Sequence, residues 1–221
     1  MYFSKVQIAL SPESLQLLSN GKSLAYAAHK SLWQLFTEEE KRQFLFREET
    51  QKNGIPMYFL LSEKPPEQHP GFIIQTKSFA PKLAVGDQLA YQIRVNPTVT
   101  TRLESGKRER HDVLMHAKKK LRDSEAHPET IKQEMEDAAR HWFAYSKRLQ
   151  EWGFELSGEP YIEKYYQHKL KKNSRRIIQF SSVDLQGQLT VTQPDAFLKM
   201  LCTGIGRSKA FGCGLMMVRR V

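Results

Sequence analysis

The chain is poor in cysteine, in acidic residues relative to basic ones, and in long apolar runs. Its 221 residues include only two cysteines, Cys202 and Cys213. That is too few for a disulfide framework or for the usual four-ligand thiolate site, so both read as small apolar residues in a reducing compartment. No stretch approaches the roughly 18 apolar residues of a membrane-spanning helix. The opening Met-Tyr-Phe-Ser-Lys lacks the charged-then-apolar design of a secretion signal, and a cytoplasmic protein that does not engage membranes is expected. Against 24 Asp and Glu stand 34 Lys and Arg, a formal net charge of +10. Such an excess favours a polyanionic partner, because Lys and Arg that neutralise phosphates release condensed counterions. Nucleic acid fits better than an anionic membrane.

Several chemistries lack their residues. No Gly-x-Ser-x-Gly elbow occurs, so a serine triad is unsupported. Glu38-Glu39-Glu40 and Glu48-Glu49 sit at element ends, and His111 with His116 has no carboxylate at a ligand spacing on a predicted element, so neither a catalytic metal nor a small-molecule cofactor is expected.

What is present is a 40% hydrophobic chain with clear periodicity. Phe3 to Ala9 alternates as a half-buried strand, and Leu24, Ala28, Leu32 and Leu35 recur at helical spacing over about Lys22 to Phe36. Gln43 to Glu49 and Ile55 to Ser62 are strands around the Asn53-Gly54 turn, followed by a strand over Phe72 to Phe79. Where a βαββαβ unit would place its second helix, Lys64 to Pro70 carries Pro65, Pro66 and Pro70, and that helix is expected to be absent or degenerate. A second cycle opens with a strand from Leu89 to Asn96-Pro97 and a polar, basic insertion to about Ala126. One helix is predicted from Pro128 to Gly153, on Ile131, Met135, Ala138, Trp142, Tyr145, Leu149 and Trp152. Strands are predicted over Phe154 to Leu156, Tyr161 to Leu170, Arg175 to Val183 and Gln188 to Thr192. A helix over Pro194 to Thr203 and a last strand over Gly214 to Val221 complete the cycle. The pattern is that of an α+β protein with tandem ferredoxin-like (RRM-like) βαββαβ domains, residues 1–86 and 87–221.

Three features can carry chemistry. The run Gly204-Ile-Gly206-Arg207-Ser-Lys209-Ala-Phe-Gly212-Cys-Gly214 lets a phosphate backbone approach main-chain N–H groups, with Arg207 and Lys209 adding charge. It follows a helix and precedes a strand, the reverse of a Walker or dinucleotide-binding loop, and a tight connection without ligand is its plain alternative. Basic residues concentrate in the insertion (Arg102, Lys107, Arg108, Arg110, Lys118, Lys119, Lys120, Arg122) and across a predicted hairpin (Lys164, Lys169, Lys171, Lys172, Arg175, Arg176) beside Tyr161, Tyr165 and Tyr166. Each alone can be a solvated loop or a guarded strand edge; together, on a basic chain, they point to RNA or DNA. Tyr26, His29 and Trp33 share one helical stripe, where an imidazole can move protons near neutral pH, although a histidine beside an aromatic on a helix is more often a packing residue or a surface polar group.

Taken in order, Met1-Tyr-Phe-Ser-Lys-Val, Tyr26-Ala-Ala-His29-Lys-Ser-Leu-Trp33-Gln-Leu-Phe36, Arg94-Val-Asn96-Pro97-Thr, Lys107-Arg108 and the terminal glycine loop resemble the CasE family. These are the repeat-cleaving endoribonucleases of type I-E CRISPR systems. The resemblance implies two ferredoxin-like domains, His29 as catalytic histidine with Tyr26 beside it, and a basic hairpin that grips the repeat stem. It further implies metal-independent attack by a substrate 2′-OH, with a 2′,3′-cyclic phosphate and a 5′-OH as products. The implied partners are the CRISPR repeat stem-loop RNA, as pre-crRNA and crRNA, and the other Cascade subunits. A non-catalytic RNA-binding subunit of the same assembly is the alternative.

Overall fold

The computed structural model describes residues 1–9, 11–12, 30–37, 41–102, 105–121, 126–173 and 176–221, with the side chains of 170–173 and 176 left out. Eleven strands are found among the described residues: β1 (Tyr2–Ile8), β2 (Phe44–Thr50), β3 (Pro56–Ser62), β4 (Phe72–Ser78), β5 (Gln88–Val95), β6 (Thr98–Arg102), β7 (Arg108–Asp112), β8 (Phe154–Leu156), β9 (Tyr161–Asn173), β10 (Arg176–Val191) and β11 (Met216–Arg220). The helices labelled here are α1 (Val113–Lys120), α2 (Pro128–Phe143), α3 (Ser146–Trp152) and α4 (Pro194–Thr203).

The first sheet has the order β2-β3-β1-β4, all neighbours antiparallel, which is the order a βαββαβ unit produces. Residues 30–33 are helical, and Leu32, Leu35 and Phe36 bury against Val6, Phe44, Phe46, Tyr58, Leu60 and Phe72 on one sheet face. Residues 63–71, described throughout, contain no helix, as the three prolines require. The predicted helix start near Lys22, with Leu24 and Ala28, lies outside the described residues. The opposite sheet face is covered too: Leu45 and Leu61 meet Leu215 from the far end of the chain, with Phe3, Phe59 and Phe79 around them. Alternation in β1 suggests one wet face, but Phe3 belongs to this second cluster.

The second sheet runs β11-β5-β10, and β10 then pairs with both β9 and β8. With β8 and β9 together as its second strand, this repeats the order of the first sheet. Its core packs Ile93, Val95, Phe143, Phe154, Val183, Leu185 and Phe197, all at 0% exposure, between the strands and α2 and α4.

Two expectations need correction. The helix predicted from Pro128 to Gly153 breaks at Ala144 and Tyr145, where Tyr145 is extended (ψ 115°) and 49% exposed instead of buried. Arg148 holds the break: its Nη1 donates to the Trp142 carbonyl at 2.6 Å while its guanidinium lies 4.7 Å over the Trp142 ring. The two strands predicted over Arg175 to Val183 and Gln188 to Thr192 are one 16-residue strand, β10. Gly187 sits inside it without turning the chain. It faces Tyr91 in the register, and a Cβ there would lie 3.0 Å from the Tyr91 hydroxyl, so the missing side chain makes room for a ring.

The described residues of the basic insertion form the β6–β7 hairpin and α1. The base of the hairpin is tied by the Val113 N–H to the Pro97 carbonyl (3.1 Å) and by Trp142 Nε1 to the Thr98 carbonyl (3.0 Å).

Candidate nucleic-acid interface

The two sheets meet through buried charge. Arg94 on β5 donates to both carboxylate oxygens of Asp184 on β10 at 2.7 Å, and its Nη1 reaches the Glu48 carbonyl of β2 at 3.4 Å. Arg47, on β2 and 1% exposed, pairs with Glu49 and lies 3.7 Å from Asp184. Neither Arg47 nor Asp184 stands out in the sequence, since a lone Arg in a strand pattern reads as an outward side chain. Arg94 appears there only within the family motif.

Around this junction the structure gathers the basic segments. The β9–β10 hairpin pairs Lys169 with Gln179 and Lys171 with Ile177, and bulges between Arg176 and Ile177 and between Asp184 and Leu185 add twist. Lys169 is exposed; Arg175 and the side chains of Lys171, Lys172 and Arg176 lie outside the described residues. In the insertion, Arg102 faces Arg108 and Thr100 faces Arg110 across the β6–β7 ladder, and Arg102, Lys107, Arg108 and Arg110 are all exposed. Like charges directly opposite repel, so the Arg102–Arg108 pair is a position where an anion between them stabilises. Lys118, Lys119 and Lys120 fill the last turn of α1, where they complement its dipole; Arg122 lies outside the described residues.

The insertion is seated against the hairpin. Asp112 caps α1 by accepting from the Leu114 and Met115 N–H groups at 3.0 Å, and its other oxygen accepts the Ser181 hydroxyl of β10. Tyr165 and Gln167 of β9 donate to the Met115 sulfur at 3.7 and 3.5 Å. On the other face of the hairpin His168 stacks on Phe180 with centroids 4.4 Å apart, and Phe180 touches Phe211 of the glycine-rich run at 5.3 Å. His168 also shares a 2.7 Å hydrogen bond with the Ser182 hydroxyl, and burial, helped by the nearby Arg94 charge, lowers its pKa. Both basic segments and the glycine run therefore converge on one hairpin.

Within the glycine run the members differ. Gly206 and Arg207 are exposed. Lys209 turns inward: its Nζ donates to the Thr203 carbonyl at 2.6 Å at the end of α4, and burial depresses its pKa. Gly212 and Gly214 are buried, and Gly204 is half-buried. A Cβ at Gly204 would lie 2.8 Å from Leu45 and one at Gly214 2.7 Å from the Ile205 carbonyl, so Gly204 lets the run dock on β2 and Gly214 lets it fold back on itself. Ser208 holds a left-handed φ of 57° and accepts from Asn96 Nδ2 at 2.6 Å, which ties the run to the end of β5.

Tyr26 and His29 lie outside the described residues. Just beyond them Lys30 is exposed, and Trp33 packs 6.0 Å from Phe44. His111 does have a carboxylate nearby, contrary to the spacing argument: Glu109 lies 3.6 Å from its Nε2, with the His116 ring 5.5 Å away. Among the described residues no group of three or more His, Cys, Asp or Glu is arranged to hold a metal ion. Among the same residues no helix is long and apolar enough to cross a membrane.

Known proteins share this architecture. The chain is 27% identical over 195 residues to the CRISPR system Cascade subunit CasE of Escherichia coli K12, covering 86% of this chain and 89% of the other. Thermus thermophilus Cse3, solved with an RNA representing a pre-cleavage complex, superposes with a TM-score of 0.69 at 25% identity, covering 99% of this chain and 98% of that one. Cas6e of E. coli K-12 gives 0.66 at 23% identity with both chains fully covered. A family model described as CRISPR associated protein matches residues 1–220, so this chain belongs to the CRISPR-associated protein family that its CasE-like motifs indicate.

Proposed function

We propose that this protein is an endoribonuclease that binds a CRISPR repeat stem-loop and cuts pre-crRNA at one phosphodiester to give mature crRNA. The observation that carries this reading is the convergence of the β6–β7 insertion and the glycine-rich run on the β9–β10 hairpin, in a family whose Thermus relative was solved on RNA. Phosphates would be held by Arg102, Lys107, Arg108, Arg110, Lys169 and Arg207, with Lys171, Lys172, Arg175 and Arg176 extending the hairpin's charge. Gly206 offers backbone close to the RNA; Gly204, Lys209, Gly212 and Gly214 shape the run that presents it.

The chemistry uses the substrate's own nucleophile. The 2′-OH next to the scissile phosphate attacks in line, the bond to the 5′-oxygen breaks, and a 2′,3′-cyclic phosphate and a 5′-OH result. His29 transfers the proton, to or from the reacting oxygens, and Tyr26 positions it. No metal-bound water is needed. The product stays on the protein in a Cascade complex, as the name of the E. coli relative suggests, in the cytoplasm. Residues 1–86 supply the catalytic helix and 87–221 the grip.

The test is incubation with repeat RNA in excess chelator, beside the same RNA carrying 2′-deoxyribose 5′ of the cut. The native strand should be cut and the deoxy strand should survive. Dependence on magnesium, or cutting of the deoxy strand, overturns the mechanism. His29→Ala should bind without cutting; if the unaltered protein binds but never cuts, it is a binding subunit only.

A further inference from the structure

We infer that the cleft between α1 and the β9–β10 hairpin is a pocket for one unpaired RNA base, a specificity site that rests on the RNA-binding function proposed above. The cleft has a volume of about 420 Å³ and is lined by Asp112, Met115, Tyr165, Gln167, Gln179 and Ser181. That is at the small end of the range for ligand sites and ample for a base with its ribose.

Its walls are fixed before any ligand arrives. Asp112 joins them by capping α1 with one oxygen and accepting the β10 Ser181 hydroxyl with the other. Gln167 is held by the Tyr165 hydroxyl at 3.1 Å and the Met115 sulfur at 3.5 Å. Met115, 42% exposed, offers a polarisable thioether 3.7 Å from the Tyr165 hydroxyl, a soft surface suited to the flat face of a base. Gln167 and Gln179 are diagonal neighbours on one face of the hairpin, since Gln167 pairs with Ser181 and Lys169 with Gln179. The Gln167 Nε2 donates to Tyr165 and Met115 and leaves its Oε1 to accept, while the Gln179 amide can both donate and accept, which matches the adjacent donor and acceptor of adenine N6 and N7.

The surroundings select RNA backbone. Lys169 flanks the cleft on the hairpin side, and Lys118 to Lys120 end the helix that forms the other wall. Side chains cannot read the deep, narrow major groove of an A-form stem, so a base that enters this cleft comes from an unpaired position in a loop, bulge or stem end. Electrostatic contacts hold any stem; this cleft distinguishes one stem-loop from another.

The probe is a pool of RNA hairpins with a randomised stem and loop and about four randomised nucleotides on each side, made with 2′-deoxyribose in the flanks to slow cutting. Wild type should enrich one base, an adenine, at one unpaired position. Replacing that nucleotide by an abasic residue in an enriched RNA should weaken wild-type binding about tenfold. Gln179→Ala should bind the intact RNA about as weakly as wild type binds the abasic one, and should bind the abasic RNA no worse. Gln167→Ala, with its melting temperature measured in parallel, should repeat this. The inference is overturned if wild type enriches no unpaired base, or if the glutamine variants lose affinity equally for intact and abasic RNA. Failure of wild type to bind any hairpin in a salt-dependent way would instead sink the RNA-binding function itself.

Discussion

Arg94 and Asp184 face each other on neighbouring strands of the second sheet, with both guanidinium–carboxylate contacts at 2.7 Å, and Arg47 of the first sheet lies 3.7 Å from the same carboxylate. Asp184 thus serves the half-buried Arg94 directly and adds to Glu49 in compensating the buried Arg47 of the other sheet. Breaking a buried pair leaves an uncompensated charge, a larger loss than the pair's own net contribution.

Asp184→Asn should therefore lower stability by about 3–5 kcal/mol. Arg47→Met, which removes the buried cation and keeps its volume, should recover part of that loss in the double variant. Denaturant unfolding of the four proteins checks it; additive losses would show that the residues do not interact.

Arg102 and Arg108 repel across their ladder and should act chiefly on RNA. Alanine at either position should leave stability within about 0.5 kcal/mol of wild type. Each should reduce the slope of log affinity against log salt by roughly 0.9 for hairpin RNA. A titration across a salt series reads both the affinity and the slope.

Gly214 and Gly206 share a left-handed backbone but not their surroundings. A methyl at Gly214 (φ 94°) would sit 2.7 Å from the Ile205 carbonyl, whereas at Gly206 (φ 73°) the nearest atom is a Trp142 ring carbon at 3.5 Å. Gly206→Ala should cost about 1–2 kcal/mol of backbone strain. Gly214→Ala should cost clearly more, and the order of the two melting temperatures decides it.

His168 should make stability depend on pH in one direction. Its folded-state pKa lies below the ordinary 6.5 because burial and Arg94 disfavour the imidazolium. As pH falls below about 6.5 the unfolded chain takes up the proton first, so the folded state is favoured above that value and loses ground as pH falls toward the lower folded-state pKa. His168→Gln should therefore narrow the stability gap between about pH 8 and pH 5, measured as melting temperature against pH.

Much of the fold was legible because period and turn chemistry agree locally. The α4 limits Pro194 and Thr203 follow from a proline at the first turn and a glycine after the last, and β8 was read residue for residue. The errors came where tertiary contacts override local signals. Gly187 resembles a strand break until Tyr91 is seen opposite, and the helix after Pro128 keeps its period through Tyr145 although Arg148 stabilises a bend there. At the site, charge density located both basic segments. Pattern alone gives no sign that Asp112 of one segment holds Ser181 of the other, because their 69-residue separation leaves no local trace. Lys209 shows the same limit: a lysine beside glycines suggests phosphate, and nothing local signals that its ammonium also reaches the last carbonyl of α4.

The uninterrupted run of β10 has a mechanical consequence. Its 16 residues span about 50 Å, one end clamped between β5 and β8 and the other forming half of the basic finger. The hairpin is thus a cantilever growing from a strand paired on both sides, and the bulge between Asp184 and Leu185 at its root sets its twist. If a repeat stem is held there as proposed above, it would be carried at a set reach and angle, and that geometry would act as the ruler that chooses the severed bond.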